Sequence, residues 1–317
     1  KKNNPQDFAL WKKAKENEPS FDSPWGKGRP GWHIECSAMV KDELGETIDI
    51  HLGGSDLIFP HHENEIAQSE SANNKKLANY WLHNGMVNVN GQKMSKSLKN
   101  FTTIRDLLDS GTSPMTLRYF VLTVNYRKPL DFTDEALKSA SEAWKNINVA
   151  LSFFDITKKE NLSIEVNETN EFVEEAYKDM INYEISQKKI KFTNALNNDL
   201  NTAGAIAIIY ELAKPLKNFI NQFQRIKNLE INTNEKFHLR ETFKTLEELT
   251  DVLGLKKEEI KIDNRINEDQ ILSLINKRLV AKKEKDYAVA DKIRNSLKEK
   301  GVELIDQSPE LTTWVRI

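Results

Sequence analysis

The sequence predicts an α/β domain that gives way to a helical bundle and closes on a small α+β module. Three observations carry this reading. Most of the 12 glycines and five of the 6 histidines (His33, His51, His61, His62, His83) fall before about residue 105. From about 131 to 255 apolar residues recur every three or four positions, the period of a helix buried along one face. The last sixty residues then combine two helical stretches with two strand-like ones around a turn at Pro309. A chain of 317 residues has room for two or three such domains with a buried core.

In the α/β part a strand is predicted at 48–52, running into Gly53-Gly54-Ser55-Asp56, with Pro60 as the first residue of the helix that follows. A glycine turn at the carboxyl end of a strand is where open α/β sheets bind ligands. Residues 86–89 are strand-like, and Asn90-Gly91 is a tight-turn signal that delivers the chain to Lys93. The helical part follows from three periodic sets. These are Leu137, Ala140, Trp144, Ile147, Leu151 and Phe154; then Ile209, Leu212, Leu216, Phe219 and Phe223; then Phe243, Leu246, Leu249 and Leu253 before Gly254. Polar stretches at 157–170 and 226–236 are predicted loops. The tail is read as helices at 268–282 and 286–300, stopped by Gly301, and a hairpin of 302–306 with 312–317.

Composition excludes more than it assigns. One cysteine, Cys36, rules out an internal disulfide framework, and no apolar run resembles a signal peptide or a membrane span, so the cytoplasm is the expected compartment. A net charge of −2 gives no global footprint for nucleic acid. Only residues 276–300, with nine Lys or Arg against four Asp or Glu, offer a basic face.

Within Pro60-His61-His62-Glu63-Asn64-Glu65, His61 and Glu65 stand four apart, on one face of a helix, where both can reach one ion. Imidazole and carboxylate suit Zn²⁺, and Cys36 can add a thiolate from a preceding helical segment. The plain alternative is a surface helix pair beside a small buried thiol. Against it stand the crowding of histidines and the run Gly31-Trp32-His33-Ile34-Glu35-Cys36. Three protein ligands would also leave a coordination position open, as in catalytic zinc sites.

Lys93-Met94-Ser95-Lys96-Ser97 places two flexible cations three apart in a loop that leaves a tight turn. A nucleotide-activating reaction needs such groups to meet charge on departing pyrophosphate. A lone pair of lysines at this spacing is more often a solvated turn. The full five-residue match after a glycine-rich α/β half favours the phosphate loop.

With these residues in hand, the chain resembles the cysteinyl-tRNA synthetase family of class I aminoacyl-tRNA synthetases. The resemblance rests on Gly31-Trp32-His33-Ile34-Glu35-Cys36-Ser37-Ala38-Met39, on Gly53 through Glu65, on the loop at 93–97 and on the tail from Asp286-Tyr287-Ala288 to Trp314. It implies the second half of a Rossmann-like catalytic domain with a zinc site at 1–92, a loop and stem-contact region at 93–130, a helical bundle at 131–258 and an anticodon-binding module at 259–317. The implied activity is ATP-dependent ligation of L-cysteine to tRNA(Cys) through a cysteinyl adenylate, by a monomer using one Zn²⁺ per chain and ATP with Mg²⁺.

The resemblance also implies residue roles. Cys36, His61 and Glu65 match three of the family's four zinc ligands, and the zinc binds the substrate thiolate. A soft thiolate prefers zinc far more than a hydroxyl does, so serine is rejected without editing. Trp32 would pack over the bound amino acid, and Asp56 would contact either the ribose of ATP or the substrate amine. Lys96, helped by Lys93, would stabilise the phosphates, with Gly54 beside them. His33 and His51 match histidines around the metal, or are structural. Trp314 either stacks on an unpaired anticodon base or closes a small core. Asp291, Asp306 and Lys282 lie at family positions for anticodon contact, although Lys282 replaces an expected arginine and its fork of donors. The hairpin turn is one residue longer than is usual in the family.

The front of the chain departs from the family. The His-Ile-Gly-His signature and the fourth zinc ligand, a cysteine, are absent, and residues 1–11 resemble the middle of the catalytic domain. The expectation is the C-terminal two-thirds of the enzyme, catalytically incomplete in isolation. Two other readings stand beside the leading one: a zinc- and tRNA-binding fragment, and a cysteine ligase acting on a small amine acceptor, whose relatives lack the anticodon module.

Overall fold

The computed structural model describes residues 3–4, 7–159, 173–226, 229–259, 266–306, 308 and 312–316. The chain divides into two compact units, one comprising Lys1–Thr112 and Phe120–Lys138, the other Ser113–Tyr119 and Ser139–Ile317.

The first unit opens with an antiparallel pair, β1 (Trp11–Lys13) and β2 (Gly28–Pro30), that leads into α1 (Trp32–Leu44). β3 (Ile48–Gly54), α2 (Glu63–Asn73) and β4 (Ala78–Asn84) form a βαβ unit whose strands pair in parallel, Ile48 opposite Ala78 and Gly54 opposite Asn84. The strand predicted at 48–52 is therefore present and two residues longer. The helix expected to start at Pro60 starts at Glu63 instead. The chain first makes a 3₁₀ turn at Ser55–Leu57 and an irregular turn at Ile58–His62, in which Phe59 is extended at φ −134°, ψ 134° and interrupts helical geometry.

β5 (Val87–Val89) and β6 (Gln92–Lys93) form the anticipated tight hairpin. Asn90 and Gly91 both take positive φ, 50° and 75°, as a two-residue hairpin turn requires. The helices α3 (Ile104–Asp109) and α4 (Pro114–Leu122) follow, and β7 (Leu130–Phe132) lies parallel to β5. The Asp131 carboxylate accepts a hydrogen bond from the Gly91 N–H at 2.8 Å, fastening the hairpin tip.

Helices make up most of the second unit: α5 (Asp134–Leu151), α6 (Phe153–Lys159), α7 (Glu175–Asn197), α8 (Thr202–Arg225) and α9 (Thr233–Val252). Their periodic apolar residues make much of the core, with Ile147, Ile209, Leu216 and Leu246 inaccessible to solvent. α5 stops at Leu151 and α6 restarts at Phe153, so Phe153 is the fully buried ring and Phe154, expected on the apolar face, is half-buried. The Phe153 ring meets Phe219 and Phe243 at 5.6 and 6.1 Å. Burial of each such side chain is worth about 1.5–3 kcal/mol. The loop expected at 226–236 ends early, because Asn232 caps α9 and Glu235 returns the bond in a capping box. Of the loop expected at 157–170, residues up to Lys159 are helical and the rest lie outside the described residues.

The tail holds α10 (Glu268–Lys283), α11 (Tyr287–Glu299) and the antiparallel strands β8 (Val302–Asp306) and β9 (Thr312–Arg316), as expected. Ile266, Ile271, Ile275, Leu297, Val302 and Leu304 form its core. Pro309 lies outside the described residues.

Candidate metal and nucleotide site

α1 delivers Cys36, the irregular turn delivers His61, and the first turn of α2 delivers Glu65. Their ligand atoms all lie within 4.8 Å of one another, and His51, His62 and Glu65 form a second such group around the same carboxylate. Glu65 is 1% exposed. Its Oε1 lies 2.6 Å from His61 Nε2 and its Oε2 lies 3.0 Å from His51 Nε2. Neither imidazole contact has hydrogen-bond geometry, and the Cys36 thiol faces the carboxylate as a hydrogen-bond donor. A buried carboxylate with two imidazole nitrogens and a thiol this close is an arrangement that a cation can satisfy.

Paired imidazoles fix the ring orientations. His33 Nδ1 pairs with His61 Nδ1 at 2.7 Å, which leaves His61 Nε2 facing Glu65. His62 Nδ1 pairs with His83 Nε2 at 2.7 Å. Burial, helped by neighbouring histidines, lowers the pKa of His61, and takes His62 down to about 4. His33 and His51 are lowered as well, again chiefly by burial. Burial raises Glu65, while the Cys36 thiol facing it pulls the other way. Burial first, and then the Glu65 carboxylate, raise Cys36. The cluster thus joins two acids that resist ionisation to neutral imidazoles, and a divalent cation would relieve that burden.

Aromatic rings wall the cluster. The Trp32 indole, half exposed, stacks face to face on His61 with centroids 4.3 Å apart and planes at 13°. Trp81 of β4 meets His51 at 4.5 Å and His62 at 5.1 Å. A Cβ at Gly53 would stand 2.5 Å from His62 Cε1, so only glycine lets that imidazole lie against β3. Sequence reasoning passed over His62, Trp81 and Gly53 as site residues. The crowding of histidines was a signal for the first; no local signal marks Trp81, which reaches the site through strand pairing.

Gly54 and Asp56 sit where β3 ends. A Cβ at Gly54 would come 2.6 Å from Asp56 Oδ1. Asp56 Oδ2 lies 3.7 Å from Lys93 Nζ, so the strand end and the lysine loop meet. The Lys96 ammonium lies over the Phe101 ring, 5.7 Å from its centroid.

The tail residues take different positions. Arg278, 2% exposed, donates from Nη1 and Nη2 to the two oxygens of Asp306 at 2.6 and 2.8 Å. Lys282 Nζ and Thr312 Oγ1 complete that carboxylate at 2.9 and 2.7 Å. Trp314, paired opposite Leu304, packs against the module's core. Asp291 is exposed on α11.

Comparison with known proteins follows this geometry. A family model described as "tRNA synthetases class I (C) catalytic domain" matches residues 1–142, and one described as "DALR domain" matches 191–257. Over all 317 residues the chain is 98% identical to a cysteine-tRNA ligase of Prochlorococcus marinus subsp. pastoris. It is 76% identical to one from another strain of Prochlorococcus marinus, and 51% identical over 324 aligned residues to one from a Synechococcus species. The chain spans 64% of the length of each of these relatives.

Proposed function

We propose, for a chain that belongs to the cysteine-tRNA ligase family of class I synthetases, that the protein activates L-cysteine with ATP and transfers it to tRNA(Cys). The observation that carries this reading is the convergence of Cys36, His61 and the buried Glu65 carboxylate, whose ligand atoms lie within 4.8 Å of one another.

Sulfur, imidazole and carboxylate donors of this kind fit Zn²⁺. Bound there, zinc would supply affinity for the thiolate of cysteine over the hydroxyl of serine. His33 orients His61, and Trp32, stacked on that imidazole, forms the wall against which the amino acid would rest. Asp56 and Gly54 stand at the strand end, where class I folds hold nucleotide or substrate amine.

In adenylate formation the cysteine carboxylate attacks the α-phosphorus of Mg²⁺-ATP and the bond to the pyrophosphate oxygen breaks. Lys93 and Lys96 would meet the charge on that leaving group. The match to a DALR domain and the basic helices of the tail favour tRNA as the acceptor over a small amine. Among the described residues no helix is long and apolar enough to cross a membrane.

The test is cysteine-dependent ATP–pyrophosphate exchange by the protein as its gene encodes it. Exchange supported by cysteine and not by methionine or glutamate is expected. Exchange supported by methionine or glutamate in place of cysteine contradicts the reading.

A further inference from the structure

We propose that Asn100 is the positioning residue that sets the backbone of the Lys93–Lys96 loop, acting as a two-point clamp. The inference rests on reading those lysines as phosphate-handling groups.

The side-chain carbonyl of Asn100 accepts from the Ser95 N–H at 2.9 Å, and its amide nitrogen donates to the Lys93 carbonyl at 3.1 Å. One planar group thus meets a backbone acceptor and a backbone donor two residues apart, as a neighbouring strand would. The partners fix the amide's orientation, since a carbonyl only accepts and an N–H only donates. β6 ends at Lys93 and the Met94 N–H still donates to the Val87 carbonyl at 3.0 Å, so the clamp holds the chain alongside and just past the last strand contact.

Three further contacts converge on the same loop. Lys99 takes a left-handed conformation, φ 53°, and its N–H donates to the Lys96 carbonyl at 3.2 Å, turning the chain so that Asn100 folds back beneath Ser95. The Leu98 N–H donates to Ser95 Oγ at 3.3 Å. Phe101, next in the chain, carries its ring under the Lys96 ammonium. Residues 100 and 101 therefore set the loop backbone and one of its two cations. The lysines are exposed and long, and a cation that meets charge in a transition state is effective only where its backbone is held in place.

The clamp needs both a donor and an acceptor. Asparagine has both; aspartate keeps the acceptor for Ser95 and turns a second oxygen on the Lys93 carbonyl; alanine has neither.

The experiment measures cysteine-dependent pyrophosphate exchange for the protein as its gene encodes it and for Asn100→Ala and Asn100→Asp. Both variants should lose about 10- to 100-fold in kcat while KM for cysteine stays within about twofold, because the loop acts on the leaving group and not on the amino acid. In parallel, trypsin should cleave after Lys93 and Lys96 at least about fivefold faster in Asn100→Ala, at a temperature where both proteins are folded. Unchanged kcat in Asn100→Ala overturns the inference, as does full recovery by Asn100→Asp. Absence of cysteine-dependent exchange in the unsubstituted protein is instead a failure of the functional reading. The clamp is then judged on cleavage alone, and equal cleavage rates overturn it.

Discussion

His61 Nε2 stands 2.6 Å from Glu65 Oε1, with both side chains buried and without hydrogen-bond alignment. Two groups one helical turn apart, held this close in a buried cluster that Cys36 also reaches, are placed to share a third partner. That relationship ties the metal reading to the chain's own geometry.

Glu65→Gln keeps the volume of the side chain and removes its charge. The variant is expected to lose zinc, falling well below one ion per chain by elemental analysis, while its fold is retained. Loss of the partner that orients His61, in His33→Ala, should weaken zinc by about 10- to 100-fold in a chelator competition. Full zinc occupancy in Glu65→Gln would place the ion elsewhere.

Lys96→Ala removes a cation that would act on departing pyrophosphate. The expected loss in kcat for exchange is about 100- to 1,000-fold with little change in KM for cysteine. A rise in KM for cysteine alone would assign Lys96 to amino-acid binding.

In the tail, the Arg278 guanidinium holds the Asp306 carboxyl far below the usual carboxylate range, assisted by Thr312 and Lys282. A depressed carboxyl stabilises the fold fully above its unfolded pKa, near about 3.9, and that contribution is lost as pH falls below it towards the folded value. Asp306→Asn leaves Arg278 buried without its counter-charge. It should cost about 2–4 kcal/mol at neutral pH, less than for a fully buried pair, because about a third of the Asp306 side chain is exposed. Denaturant unfolding should show the gap between the two proteins narrowing below about pH 4. A gap that widens on acidification would contradict this sign.

Gly254 ends α9 at φ +64°, and a Cβ there would stand 2.6 Å from the Arg118 guanidinium, which itself caps the Leu253 carbonyl. Gly254→Ala should destabilise the second unit by about 1–3 kcal/mol, through left-handed strain and displacement of Arg118. Thermal unfolding measures it.

What could be read from the sequence was what local signals encode. β3, the Asn90-Gly91 hairpin, the periodic helices and the tail each carry their own turn residue or repeat. Cys36, His61 and Glu65 were legible because a helical spacing and a rare thiol pick them out. β4 was not, because its partner β3 is separated from it by α2 and a parallel pairing leaves no local mark. Trp81 was lost with it. The spacing argument that selects His61 also passes over His62, whose partner His83 lies on β4. Asp306 was visible as an acid, whereas its engagement by Arg278, 28 residues earlier on α10, is a product of folding. The late start of α2 belongs with these, since Phe59 is extended where a proline suggested a helix.

The central claim is that the cluster of Cys36, His61 and Glu65 holds zinc and that the zinc meets the thiol of the substrate. Zinc K-edge X-ray absorption of the protein as its gene encodes it, with and without L-cysteine, tests this most directly. The account predicts one additional Zn–S distance near about 2.3 Å when cysteine is added and none with serine. An unchanged zinc environment in the presence of saturating cysteine would contradict it.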